Sequence, residues 1–244
     1  MKIDLLVFSP HPDDAEIFCG GLIKKLQSKG TAVIDFCKGE LGSQGTVEIR
    51  SNEIKNASKA LGLLLREDLS FPDGFSSINE QENWHLEIVK VIRRIKPKAI
   101  ACPYWESRHP DHAAAGKLVQ KAIFFSGLTK FHPELGQAYR PHLEMYYPMR
   151  VDAAASFICD VSDVYQQKLD AIECYSSQLQ RSEAQTLISS PLTIHSIKAR
   201  DSFFGAQIGV SYGEPYILRH AIKINDPIDY FDYLEKQPSL FYFR

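Results

Sequence analysis

Two short stretches hold most of the residues able to do chemistry. "SPHPDDAEI", residues 9–17, puts a histidine and two adjacent aspartates directly after the apolar run "KIDLLVF". "SRHPDHAAAG", residues 107–116, repeats the theme in mid-chain. A turn needs only one Asp, and two neighbouring carboxylates repel each other unless a cation offsets them. A catalytic zinc takes three nitrogen or oxygen ligands from the protein and keeps one position open. His11 and Asp14 can supply two from one turn, with Pro12 restricting the backbone between them. A histidine of the second stretch would supply the third. Asp13 is then left beside the metal, free to work as a base. The plainer use of "DD" after a strand is a helix N-cap followed by an acid that complements the helix dipole. Two histidines and one carboxylate also suit Fe(II) and oxygen chemistry. The extra proton-transfer groups beside the metal favour hydrolysis instead.

The elements around these stretches must bring them together. "IDLLVF" is a continuous apolar run, as a strand buried on both faces requires. "AEIFCGGLIKKLQSKG" has helical spacing and closes on Gly30. "TAVIDFC" predicts the next strand, and "VEIRSNEIKNASKALG" a helix ending at Gly62. "ENWHLEIVKVIRRIK" is amphipathic and stops before Pro97; "KAIACP" follows as a strand and "DHAAAGKLVQKAIFF" as a helix. This alternation predicts an α/β fold: a Rossmann-like, mostly parallel sheet with helices on both faces. In the second half, "LEMYYP" and "SFICDV" predict strands that extend the sheet. "VYQQKLDAIECYSSQL" predicts one helix, and "SPLTIHSIKARDSFFGAQIGVSYGEPY" a helix followed by a loop. Residues 1–244 are expected to form a single domain. In such a sheet functional residues gather beyond the carboxyl ends of the strands. Both histidine–aspartate stretches follow strands closely, so both belong to one rim.

Composition narrows the function classes. With 28 Lys and Arg against 30 Asp and Glu, the 244-residue chain has no basic excess to hold a nucleic-acid backbone. No run approaches the roughly 18 apolar residues of a spanning helix, and the N-terminus lacks a signal peptide's apolar core. Five scattered cysteines with no C-x-x-C pair read as reduced thiols of a cytoplasmic protein. His85, His132, His142, His195 and His220 read as structural or surface residues. The tail "DPIDYFDYLEKQPSLFYFR" is rich in aromatics, which pack on the domain or form a homo-oligomer contact.

"HPDD" paired with "HPDH" resembles the PIG-L/LmbE-like family of zinc-dependent N-acetylglucosamine deacetylases. "KGELGSQGTVEIR", "SFPDG", "ESRHPDHAAAG", "SPLTIHSIKARDSFFG" and "IGVSYGEPY" resemble the branch that deacetylates N-acetylglucosaminyl-malate in bacillithiol synthesis. The similarity runs over about residues 2–216. It implies Zn2+ (Fe2+ would accept the same ligands) held by His11, Asp14 and His112. It implies Asp13 as general base, His109 as an imidazolium that stabilises the oxyanion or protonates the amine, and Asp111 as the partner that orients His109. A malate conjugate carries two carboxylates, for which arginine's planar fork is suited. Arg50 and Arg108 are the candidates, and Arg140 in "AYRPH" also matches a family position. The glycines Gly39, Gly42 and Gly45 would allow close approach to a sugar. Some relatives carry a loop tyrosine before the "AR" helix; it is absent here, and either zinc and His109 suffice or Tyr146 or Tyr212 replaces it. The expected substrate is therefore a small-molecule N-acetylglucosaminide. The malate conjugate leads, with a chitin fragment or an antibiotic-linked or lipid-linked sugar as alternatives.

Overall fold

A computed structural model describes residues 2–41, 46–77, 83–179 and 190–230. Five parallel strands form the main sheet: β1 (Leu5–Ser9), β2 (Thr31–Asp35), β3 (Leu65–Asp68), β4 (Ala99–Pro103) and β5 (Leu143–Tyr147), in the order β3-β2-β1-β4-β5. Helices α1 (Asp14–Lys25), α2 (Val47–Leu61), α3 (Trp84–Ile95) and α4 (Pro110–Ser126) connect them. Further along lie α5 (Tyr165–Glu173), α6 (Ser176–Leu179) and α7 (Thr193–Gln207).

The sequence of β1 explains its central place. Leu5 and Val7 point to one face, where they meet Ile17 and Phe18 of α1 and Ile172 of α5. Leu6 and Phe8 point to the other, where Ile88 and Ile92 of α3 and Val119 of α4 cover them. All four strand residues are buried, the result of the unbroken apolar run. Helices on both faces of a mostly parallel sheet are the architecture that the alternation predicts.

β1 pairs with β2 on one side and β4 on the other. The chain reverses its direction of sheet growth between β1 and β4, which opens a crevice beyond their carboxyl ends. The two histidine–aspartate stretches leave β1 and β4 there.

Three sequence expectations need correction. β6 (Phe157–Asp160) does not extend the parallel sheet; it pairs antiparallel with β7 (Gly213–Tyr216), a strand inside the segment read as a loop. The ribbon joins β5 through a Tyr146–Ile217 bridge. The single helix expected at "VYQQKLDAIECYSSQL" is two, because the Glu53 carboxylate captures the start of α6, accepting the Ser177 N–H at 2.7 Å and its hydroxyl at 2.8 Å. Residues 42–45 and 231–244, which hold Gly42, Gly45 and most of the aromatic tail, lie outside the described residues.

Candidate metal centre and active site

The first motif is shaped by its own side chains. The Ser9 hydroxyl donates to the His11 carbonyl at 2.7 Å and accepts the Ala15 N–H at 3.2 Å, tying the turn to the end of β1. Asp14 Oδ2 accepts the His11 N–H at 3.1 Å. Asp13, just before α1, has φ 108°, a region that an L-residue adopts only under constraint. The second motif opens α4. His109 is its N-cap, with Nδ1 accepting the Asp111 N–H at 3.3 Å, and Pro110 fills the first turn where no N–H is needed.

Three donor atoms converge between the motifs. His11 Nδ1 lies 3.2 Å from Asp14 Oδ2, His112 Nε2 lies 3.3 Å from His11 Nδ1, and His112 Nε2 lies 3.2 Å from Asp14 Oδ2. A tetrahedral ion bound at the usual zinc distances separates its ligands by about 3.3 Å. The triangle therefore fits one face of such a tetrahedron. On its other nitrogen, His11 Nε2 faces Asp111 Oδ2 at 3.3 Å and Asp73 Oδ1 at 3.4 Å. Two carboxylates facing Nε2 would hold a ring proton there and leave the Nδ1 lone pair to a bound ion, the usual support of a metal-binding histidine.

Two other groupings share His11: one with His109 and Asp111, one with Cys37 and Asp73. Both Asp111 oxygens already accept backbone N–H groups, of Gly74 and of Ser76, at 3.0 Å. Burial pushes the Cys37 thiol up to about 12, far from the thiolate that a metal needs. In the set of His11, Asp14 and His112 no thiol is needed, and among the described residues the carboxylate accepts only one backbone N–H, that of His11.

The electrostatics separate the adjacent aspartates. Burial and the Asp14 charge push Asp13 up to about 8. Asp14 is as deeply buried, yet His112 and His11 hold it well below the usual carboxylate range. Against its own burial, Asp111 is likewise held low by His11 and the Ser76 N–H. Burial, opposed by Asp111, Asp14 and Asp73, leaves His11 with raised proton affinity, a field that draws any cation.

These groups line a cavity of about 1120 Å³. Asp13, His109, Arg50 and Arg108 reach it, joined by Arg150. Arg50 is 7% exposed, and its Nε and Nη1 have no hydrogen-bond partner among the described residues. Gly39, at φ 73°, makes room for it: a Cβ there would stand 2.9 Å from Arg50 Nη2. Arg108 and Arg150 are exposed at the rim.

Several sequence expectations fall elsewhere. Arg140 precedes β5 at the amino end of the sheet and lines a separate cavity of about 440 Å³ with Lys117, Lys121 and Arg219. The Asp111 carboxylate bonds to His11; only its backbone N–H meets His109. Tyr146 is buried in the core against Trp105, and Tyr212 stacks on Tyr165 at 3.6 Å; neither lines the large cavity. His195 is exposed on α7. Asp73 and Arg150 were not foreseen. Asp73 had a signal, since it follows β3 on the functional rim, but a strand reading "LRED" does not announce itself. Arg150, in the turn after β5, had none.

The family described as GlcNAc-PI de-N-acetylase, PIG-L, matches residues 6–123, which span both motifs. The diacetylchitobiose deacetylase of Thermococcus kodakarensis is 32% identical over 71% of this chain and 69% of its own. The chain belongs to the PIG-L family. A probable N-acetyl-α-D-glucosaminyl L-malate deacetylase 2 of Bacillus cereus is 28% identical over 73% of this chain and 84% of its own. Among solved structures, a conserved protein of Thermus thermophilus superposes with a TM-score of 0.82 at 33% identity, covering 91% of this chain and 97% of the other. Family membership makes the protein a deacetylase, a hydrolase of amide bonds that acts on N-acetylglucosamine-type substrates. Among the described residues no helix is long and apolar enough to cross a membrane.

Proposed function

We propose that the protein uses Zn2+ to hydrolyse the N-acetyl group of an N-acetylglucosaminide whose aglycone carries carboxylate, N-acetyl-α-D-glucosaminyl L-malate foremost. The observation that carries the chemistry is the triangle of His11 Nδ1, Asp14 Oδ2 and His112 Nε2 with edges of 3.2–3.3 Å. Zn2+ held there supplies a Lewis acid that polarises the acetyl carbonyl and acidifies a water.

The remaining work belongs to side chains. Asp13, buried beside the triangle, accepts the proton of the attacking water as the new C–O bond forms. His109 spends its Nδ1 lone pair on the Asp111 N–H, so its ring proton sits on Nε2. That N–H is available to the developing oxyanion, and Asp13 passes the proton it took from the water to the departing nitrogen. The C–N bond breaks, acetate leaves, and the glucosamine nitrogen departs protonated. Asp111 and Asp73 keep His11 in the tautomer that binds the ion.

Arg50 supports the anionic aglycone. A buried guanidinium with two nitrogens unpartnered among the described residues is costly, and a carboxylate would give it a charged acceptor. Arg108 and Arg150 add positive charge at the rim. A second reading, a neutral chito-oligosaccharide, has its own support in the higher identity to the diacetylchitobiose deacetylase. Amine release from the malate conjugate and from N,N'-diacetylchitobiose, by parent and Arg50→Ala enzymes, decides between them. The expected result is preference for the malate conjugate, with a KM that rises about tenfold or more in Arg50→Ala. Equal loss on both substrates, or preference for chitobiose, would overturn the malate assignment and leave the deacetylase. The cytoplasmic location belongs to the same proposal and is tested by fractionation of the source cells.

A further inference from the structure

Helix α1, which begins at Asp14 directly after Asp13, carries Gly20 and Gly21 in its interior, where glycine weakens a helix. The reason for Gly21 is steric: a Cβ there would lie 2.7 Å from the Val161 side chain and 3.0 Å from Glu214 Oε1. Glu214 comes from β7 and is fully buried. It accepts two backbone N–H groups of α1, from Gly21 and Leu22, each at 2.8 Å. It also accepts from Lys168 Nζ at 2.7 Å and from the Tyr216 hydroxyl at 2.9 Å, so four donors saturate the carboxylate.

The contacts continue toward the metal centre. Lys168, fully buried on α5, bonds Asp201 Oδ2 of α7 at 2.8 Å, where the Tyr165 hydroxyl also donates. Asp201 Oδ1 accepts Arg200 Nε at 2.8 Å. Arg200 Nη2 donates to the Ile17 carbonyl at 2.7 Å, and its guanidinium lies 4.7 Å from the centre of the Phe18 ring. Ile17 in turn donates its N–H to the Asp13 carbonyl at 3.0 Å. Asp13 holds a strained backbone that the surroundings must impose. Two cations and two anions thus form a neutral, hydrogen-bonded cluster that grips α1 at its first turn and again one turn later.

We propose that Arg200 is a positioning residue for the metal centre: anchored by the buried Lys168–Asp201–Glu214 cluster, it fixes the first turn of α1 and with it Asp13 and Asp14. The proposal rests on reading Asp14 as a metal ligand and Asp13 as the base. Arg200 touches neither substrate cavity nor ion, so its effect passes through the Ile17 carbonyl and the Phe18 ring. Losing a group that orients a ligand weakens metal binding or activity by about 10–100-fold.

The test measures Zn2+ affinity by chelator competition, alongside kcat and KM, for Arg200→Met and Arg200→Lys. Arg200→Met covers Phe18 but cannot donate to Ile17 or Asp201. The expected result is a folded protein with Zn2+ affinity about tenfold weaker or more, and a kcat lowered about as much with KM changed less than threefold. Arg200→Lys, which keeps a charged donor, recovers part of both and carries the test alone if Arg200→Met does not fold. Arg93→Met, which weakens the fold at the distant end of α4, controls for general destabilisation. Zn2+ affinity and kcat within about twofold of the parent would overturn the proposal, as would an equal loss in Arg93→Met. Because chelator competition needs no substrate, a parent that binds Zn2+ but hydrolyses neither sugar would overturn the functional reading and leave this one standing. A parent that binds no divalent metal would overturn both.

Discussion

Asp13 and Asp14 are neighbours in sequence, equally buried, and chemically opposite. Asp14 has two imidazoles within 3.2 Å and stays a carboxylate, whereas Asp13 has no such partner and holds its proton more readily. Asp13→Asn keeps the shape and removes the proposed base. It should leave Zn2+ content unchanged by elemental analysis and cut kcat by about 10²–10⁴-fold; loss of metal together with activity would make Asp13 a ligand instead. Arg50 permits a prediction of opposite sign for stability. Its unpartnered nitrogens cost about 1–3 kcal/mol in the ligand-free protein. Arg50→Met should therefore raise Tm by about 2–4 °C, even after loss of its attraction to Asp13. A lower Tm would mean that the guanidinium has a partner in the free protein. The proposed metal ligands could be picked out of the sequence because each motif carries several chemical groups in one turn, and chance seldom repeats that twice. Asp73 and Arg150 are single residues in loops; they reach the cavity only through the strand ends that carry them.

At the scale of elements, the parallel sheet could be read because its strands are buried on both faces and therefore unbroken in hydrophobicity. β3 and β7 could not. β3 is an edge strand whose Arg66 pairs with Asp35 of β2 and Glu16 of α1, so its residues look like a charged loop. β7 hides its strand character in Gly213, Glu214 and Pro215, and Glu214 is buried only because α1 and Lys168 supply its donors. Arg93 shows the same inversion in α3. It is 2% exposed, and its guanidinium donates to carbonyls of Phe125, Ser126, Leu128, Phe131, His132 and Gly136, gathering the end of α4 and the loop beyond it. Charge-assisted bonds of this kind contribute about 1.5–3 kcal/mol each, and several vanish together. Arg93→Met should lower stability by at least about 3 kcal/mol in urea titrations with an unchanged m-value. α4 spans 17 residues, about 25 Å, so His109 and His112 at its other end should keep kcat near the parent value at 25 °C. A kcat that falls with stability would show that the helix transmits the disturbance along its length.

Across the whole molecule, the layers on the two faces of the sheet are held by different means. The face under α3 and α4 is an apolar core enriched in aromatics, Phe36, Phe71, Phe75 and Trp84 among them. The face under α1 and α5 adds the ionic cluster, which joins α1, α5, α7 and β7 at one buried point. Acid should therefore attack this second face first. Burial would raise the Asp201 pKa, but Lys168 and Arg200 more than reverse it and hold the carboxyl below its ordinary value. A group with a depressed folded pKa contributes fully above its unfolded pKa, about 3.9 for Asp, and its contribution is lost as pH falls through the folded value. Parent stability should thus decline below about pH 4. Asp201→Asn removes the titrating group and leaves Lys168 with Glu214 as its remaining anion. Breaking one partner of a buried pair costs about 3–5 kcal/mol, here toward the lower end because Glu214 stays. Urea midpoints from pH 7 to pH 3 should show the variant less stable at neutral pH and declining less steeply in acid, by up to about 1.4 kcal/mol per pH unit. Parallel curves would mean that Asp201 does not titrate on unfolding, and that acid enters through the carboxylates of the metal centre instead.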